Sequence, residues 1–317
     1  MMLVIAKGGE ETLVSLKAGS ETPGKRRHVG VCRQLLQADF AVRSTAASPV
    51  ATIPVCLIPV EDVAGRERAM DLGLTGKAVA VTGGTRGIGY AIAEACAREG
   101  ASVAICGRSA ESLSQAERSL KAHGGKVFAT ACDVAEPAAV AAFVNGAAEH
   151  LGGLRALVNN PSGFGEEDDE EGWARGIEVD LMGLVRATWA AIPHFKAAGC
   201  GALLHISSIS GIGASSLLPY GAVKAAVIQL TQSQARKYAA DRIRVNCIAP
   251  GSIEFPGGLW AQCKTDDPDL YKEVLEEIPF GRMGKPEEVA QVAVFLLSEA
   301  ASWVTGQTVA VDGAQNL

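Results

Sequence analysis

The sequence has no CxxC pair: its eight cysteines stand at 32, 56, 96, 106, 132, 200, 247 and 263. That is too sparse for a disulfide scaffold and wrongly spaced for zinc, and it fits a reducing cytosol. Five scattered histidines add no ligand pattern, so no metal site is expected. There is no excess of basic charge, since 29 Lys and Arg against 35 Asp and Glu leave a formal net charge of −6. Neither a nucleic acid nor an anionic membrane surface would meet a strongly basic field. A bilayer-spanning run is missing too, because the apolar stretch from Val50 to Val60 is broken by Pro54 and Pro59. The start does not read as a secretory signal, being interrupted by Glu10 and Glu11. A cytoplasmic protein with a small-molecule partner is the expectation.

What is present is a globular balance: 317 residues, 48% hydrophobic, 20% charged, with 36 glycines. Such a chain can bury a sizeable core. The first 69 residues stand apart, with a basic knot at Lys25-Arg26-Arg27-His28 and prolines at 49, 54 and 59. They show no sustained periodicity and are expected to form a poorly structured extension. A single folded domain is expected over 70–317, beginning at Met70.

From Lys77 onward short apolar runs alternate with amphipathic stretches. Strands are expected at 78–81, 102–106, 126–132, 154–159, 202–207, 242–248 and 308–311. Between the first two, Ile88, Ile92, Ala95 and Cys96 fall on one helical face. Pro137 suits the first turn of a helix bearing Val140, Phe143, Val144 and Ala147. Further helices are expected around 173–197, 217–240 and from Pro286. Apolar strands alternating with helices predict an α/β fold, a doubly wound Rossmann-type parallel sheet of about seven strands covered on both faces.

Two constellations carry chemistry. Thr82-Gly83-Gly84-Thr85-Arg86-Gly87-Ile88-Gly89 lies between a strand and a helix. Glycines there let backbone N–H groups approach a pyrophosphate, and the helix N-terminus favours its charge. Downstream, Tyr220 and Lys224 are four residues apart on one helix face. An ammonium beside a phenol favours the phenolate, which suits proton exchange with a carbonyl or alcohol oxygen. Ser207 and Ser208 lie at a strand end just upstream, on the sheet edge where ligands bind.

With Asp133-Val134, Asn159-Asn160, Pro250-Gly251 and the stretches 278–289 and 305–313, these motifs resemble the short-chain dehydrogenase/reductase family. The resemblance runs from about Leu72 to the C-terminus and is nearest in pattern to the 3-oxoacyl-carrier-protein-reductase-like members. It implies an oxidoreductase moving a hydride between NADP(H) and a carbonyl/secondary alcohol pair, assembled as a homotetramer or homodimer. By resemblance Tyr220 is the general acid in reduction and the base in oxidation, and Lys224 tunes it and meets the nicotinamide ribose. Ser208, three residues before Gly211, holds the substrate oxygen, with Ser207 as the alternative. Gly83, Thr85, Arg86, Gly87, Ile88 and Gly89 cradle the cofactor, Asp133 meets the adenine, Asn160 lies near the ribose and Ile253 shields the nicotinamide, with Val134, Pro250 and Gly251 as further cofactor-binding residues. Arg108 follows Gly107 where an NAD-specific member would place a carboxylate, which favours a 2′-phosphate.

Three departures from the family pattern stand out. Asn159-Asn160 continues as Pro161-Ser162-Gly163 rather than Ala-Gly, and Phe255 replaces a threonine. The asparagine of the family's active-site tetrad is Asp180, which either attracts Lys224 or points to water or backbone. The acidic run Glu166–Glu171 reads as a solvated loop. Residues 255–280 are expected to cover the substrate, with Leu259, Trp260 and Phe280 as an apolar lining or as ordinary packing. The competing function is a regulator that binds the dinucleotide without turnover; retention of both Tyr220 and Lys224 argues for catalysis.

Overall fold

The computed structural model describes residues 72–317 and, before them, the backbone of two strands, β1 (Met2–Lys7) and β2 (Glu10–Ser15). β1 and β2 pair antiparallel with Lys7 opposite Glu10. Gly8-Gly9 between them is a two-residue hairpin signal that the expectation of no strand in this segment overlooks. The remainder of the extension expected over 1–69 lies outside the described residues.

In the second unit all seven expected strands form. They are β3 (Ala78–Val81), β4 (Ser102–Gly107), β5 (Val127–Ala131), β6 (Ala156–Asn159), β7 (Gly201–Ile206), β8 (Ile243–Pro250) and β9 (Thr308–Val311). Every neighbouring pair is parallel, in the order β5-β4-β3-β6-β7-β8-β9. The order reverses between β3 and β6, and the carboxyl ends of these two strands flank a crevice.

Strand alternation explains the two cores. Val79 and Val81 of β3 face one layer with Ile105, Val158 and Leu204, against α1 (Gly87–Arg98) and α9 (Pro286–Leu297). Ala78 and Ala80 face the other layer with Ala104, Leu157 and Leu203. There they meet α3 (Pro137–Leu151) through Val140, Phe143 and Val144, and α5 (Gly183–Ala197) through Ala187, Ala191 and Phe195. Both faces are apolar because helices cover both. Local signals set the helix ends. Ser109 Oγ accepts from Ser112 N to cap α2 (Ala110–Lys121), and α3 starts on Pro137 and stops at left-handed Gly152.

Two stretches are more broken than their periodicity suggests. The helix expected around 173–197 is a short α4 (Glu170–Arg175), a π-helical segment (Gly176–Met182) and then α5. The stretch 255–280 contains α7 (Leu259–Asp266) and α8 (Pro268–Glu277), with α6 (Leu218–Tyr238) before β8. Beneath the sheet edge a polar chain is sealed in. Asn159 Nδ2 lies 3.3 Å from Thr188 Oγ1 and 3.2 Å from His205 Nδ1, and His205 Nε2 is 2.9 Å from Gln234 Oε1. The Gln234 oxygen only accepts, so Nε2 carries the proton and Nδ1 accepts from Asn159. Burial pushes this imidazole down to about 4, against the opposing Gln234 bond, so it stays neutral at physiological pH.

The sheet and both its covering layers are complete within residues 72–317. A chain beginning at Met70 is therefore expected to be soluble and to unfold with the full chain's Tm in scanning calorimetry. Insoluble protein, or a Tm lowered by more than about 5 °C, would show that residues 1–69 carry part of the fold.

Candidate active site

A cavity of about 1020 Å³ opens at the carboxyl ends of the strands, roomy for a dinucleotide and a small substrate together. Gly83, Thr85, Arg86 and Ile88 of the glycine-rich turn line it, with Arg108, Asp133, Val134, Asn160, Ser208, Tyr220, Lys224, Pro250, Gly251 and Ile253. The topology thus collects on one wall nearly all the residues that the motifs single out. Gly87, Gly89 and Asp180 are off the wall.

Packing accounts for the two glycines. Gly83 and Gly87 have φ of +63° and +55°, left-handed values that suit glycine. A Cβ on Gly89 would fall 2.2 Å from Gly83 O, so this residue lets α1 press against its own turn. A Cβ on Gly87 would meet three ring atoms of Phe255 at 2.5–2.9 Å. Asn160 braces the same turn, its Nδ2 donating to Gly83 O at 3.2 Å and its backbone N donating to Thr82 Oγ1 at 3.0 Å. Arg86 Nη1 donates to Gly257 O at 2.9 Å, tying the turn to the segment before α7.

At the other end Lys224 is buried and its ammonium lies 2.8 Å from Asp180 Oδ1, with both side chains almost wholly out of solvent. Lys224 Nζ also reaches Ile206 O at 3.3 Å and Pro161 O at 3.5 Å. The second oxygen of Asp180, Oδ2, accepts from Gly163 N at 2.7 Å. Both readings of Asp180 hold at once: one oxygen takes the ammonium and the other takes backbone. Burial alone would lower the Lys224 pKa, but the Asp180 carboxylate and the Tyr220 phenol outweigh it and hold the ammonium above its ordinary range. Lys224 Nζ sits 5.5 Å from the centre of the Tyr220 ring.

The two serines divide by their protons. Ser207 Oγ donates to Lys224 O at 2.7 Å and is spent on structure. Ser208 Oγ accepts from Ser210 N at 3.1 Å, and its own proton has no partner among the described residues. Leu259 and Trp260 line the cavity as expected, whereas Phe280 is 71% exposed and off the wall. Phe164 is a residue that sequence reasoning missed. Its backbone is left-handed at φ +49°, and its ring packs 5.0 Å from the Tyr220 ring, tilted by 58°. A phenylalanine between Gly163 and Gly165 was the available signal. The floor beneath Ile253 is fastened from β9: Gly251 N donates to Val311 O at 3.0 Å and Ser252 N to Gln315 Oε1 at 2.9 Å.

A family model described as enoyl-(acyl carrier protein) reductase matches residues 83–315. The cis-4-hydroxycyclohexanecarboxylate dehydrogenase of Sinomonas cyclohexanicum is 40% identical over 242 residues, which is 74% of this chain and 94% of its own. The 3-oxoacyl-[acyl-carrier-protein] reductase of Chlamydia pneumoniae is 37% identical over 250 residues, 77% of this chain and 98% of its own. Among solved structures, L-sorbose reductase from Gluconobacter frateurii, complexed with NADPH and L-sorbose, superposes with a TM-score of 0.71 at 34% identity, covering 78% of this chain and 99% of its own.

The buried pair generates a prediction at Asp180. Asp180→Asn keeps an acceptor for Gly163 N but leaves the Lys224 ammonium buried without its counter-charge, which costs about 3–5 kcal/mol of stability. Because folding raises the Lys224 pKa, the pair's contribution is complete below the ordinary lysine pKa of about 10.4 and is lost as pH rises through the folded value. Urea unfolding at neutral pH should show the loss. The same change removes the charge that cancels part of the ammonium's field at the phenol. The rising limb of the pH–rate profile for alcohol oxidation should therefore move to lower pH. Displacement to higher pH would reject this electrostatic account.

Proposed function

The chain belongs to the short-chain dehydrogenase/reductase family, oxidoreductases that act on alcohol and carbonyl groups with a nicotinamide cofactor, and on that premise we propose that it is an NADP(H)-dependent ketone reductase. The observation that carries the reading is the convergence on one cavity wall of Tyr220, a charged and buried Lys224, and Ser208 with an uncommitted hydroxyl. The cofactor supplies the hydride. Ser208 donates to the substrate oxygen and fixes it beside Tyr220. Tyr220 gives its phenolic proton to that oxygen in reduction and takes it back in oxidation. Lys224 favours the phenolate left behind, and Asp180 holds the ammonium in place.

The residues present fit a dinucleotide. The glycine-rich turn has no room for side chains at Gly83 or Gly89, and the N-terminus of α1 faces the cavity through Arg86 and Ile88. The preference for NADP(H) is supported by Arg108 at the end of β4, on the wall beside Ser109 and without a hydrogen-bond or ion-pair partner among the described residues. A cation there pairs with a 2′-phosphate. The similar L-sorbose reductase is complexed with NADPH. For the substrate, the relatives' names range over a hydroxy acid, an oxoacyl group and a sugar. A 3-oxoacyl-type or other ketone is the class we propose, with assembly as a homotetramer or homodimer. Among the described residues no helix is long and apolar enough to cross a membrane.

Two measurements test the reading. Tyr220→Phe keeps the ring and removes the proton, so turnover of ketones should fall by about 10²–10⁴-fold while NADPH still quenches protein fluorescence. A variant that keeps most of its kcat would remove Tyr220 as the acid. Binding of NADPH by the native protein with no consumption on any ketone would favour the regulator instead. Separately, kcat/KM should favour NADPH over NADH, and Arg108→Ala should shrink that ratio by about tenfold or more, the worth of a hydrogen bond to a charged group. Equal use of both cofactors by the native protein would sink the NADP(H) assignment.

A further inference from the structure

Arg86, Arg108, Asp133, Arg175 and Lys224 are the charged side chains on the cavity wall. Lys224 is paired with Asp180, Asp133 Oδ1 accepts from Ala135 N, and Arg86 donates to Gly257 O. Arg108 has the 2′-phosphate as its partner in the cofactor proposal above. Arg175, at the last position of α4, has no hydrogen bond or ion pair from its side chain among the described residues. The residue is exposed, so its charge is open to the solvent that fills the cavity. Six carboxylates run from Glu166 to Glu171 just before it, and none pairs with it, whereas Arg186 nearby is paired with Glu178 at 2.8 Å.

Arg175 lines the same cavity as Tyr220 and Ser208, and its stem lies against the loop beside Tyr220. A Cβ on Gly163 would lie 3.0 Å from Arg175 Cγ, so the missing side chain at 163 lets the arginine stem lie flat on the loop after β6. The next residue of that loop is Phe164, whose ring packs 5.0 Å from the ring of Tyr220. Stem, loop and phenol are thus contiguous along the cavity lining. We infer that Arg175 recognises an anionic group on the substrate, a carboxylate carried on the carbon skeleton of the ketone whose oxygen meets Tyr220. The inference rests on the reading of Tyr220 as the proton donor. A planar guanidinium fork can take both carboxylate oxygens at once, which fixes the skeleton's direction along the Phe164 ring as well as adding affinity.

The test uses the full chain with saturating NADPH and paired probes: levulinate and acetoacetate, each against its own methyl ester. The acid should exceed the ester in kcat/KM by about tenfold or more, carried by KM. Arg175→Gln should bring that ratio down to about one, and Arg175→Lys, which keeps the charge without the fork, should restore part of it. Equal values for acid and ester in the native protein, or a ratio that Arg175→Gln leaves standing, would overturn the proposal. If no ketone is consumed at all, the reading of Tyr220 fails rather than that of Arg175. Calorimetry of levulinate binding to the NADPH-loaded protein then decides: about tenfold weaker binding in Arg175→Gln upholds the anion site, and unchanged affinity rejects it.

Discussion

Taking a lysine and an aspartate out of water costs several kcal/mol for each ion, and their mutual attraction repays that only where further hydrogen bonds complete both groups. The Lys224–Asp180 pair meets most of the condition, Asp180 Oδ1 being held by the ammonium alone. The ammonium has two backbone carbonyls besides its carboxylate, at the end of β7 and in the loop after β6, and the carboxylate has a backbone N–H of that same loop. Four pieces of chain are therefore fixed by one pair of charges: α6, the π-helical segment, and the two loops that leave the central strands. Tyr220 shares a helix with Lys224, Ser208 follows the carbonyl that Lys224 binds, and Phe164 follows the amide that Asp180 binds. The reacting groups are thus carried on segments that this one pair ties together.

A second tie joins the two ends of the cavity. Arg86 holds Gly257, and Phe255 lies on Gly87, so the stretch leading into α7 rests on the glycine-rich turn rather than hanging over the substrate end alone. A threonine at 255 would be too small to reach across with a ring. The residue that departs from the family pattern is thus the one that makes this contact, and the geometry of the turn and that of the substrate cover are set together.

Much of this was legible in the sequence because it is written in local periodicity. Val79, Val81, Ile105 and Leu157 mark buried strands wherever they are read, and strand–helix alternation leaves few topologies other than a parallel sheet. Tyr220 and Lys224 share a helix face by spacing, whereas the choice of Ser208 over Ser207 and the prominence of Asp180 come from the resemblance to the family. What escaped depends on neighbours distant in the chain. Gly89 serves the approach of α1 to Gly83 O, a role that only the fold reveals. Phe164 is an ordinary loop phenylalanine until the fold brings it to Tyr220. The break of the 173–197 helix into α, π and α turns has no signature in hydrophobic spacing, since the apolar face continues through it. Phe280 reads as a lining residue by hydropathy alone and is exposed, immediately before a left-handed turn at Gly281 with φ +68°.

The fastening of Gly251 and Ser252 by Val311 and Gln315 bears on how the protein is made. The glycine-rich turn emerges early in synthesis of the folded unit, yet the floor under Ile253 is held by residues some sixty positions further on. β9 is also one of the sheet's two edge strands, and its partner β8 carries Pro250-Gly251 directly into the cavity. A ribosome-bound chain therefore possesses the turn, the tyrosine and the lysine well before it possesses a closed pocket. Contacts of such long sequence separation form late. The reactive wall is completed only when the final strand has docked, so a chain interrupted short of β9 would carry the motifs without the enclosure that makes them a site.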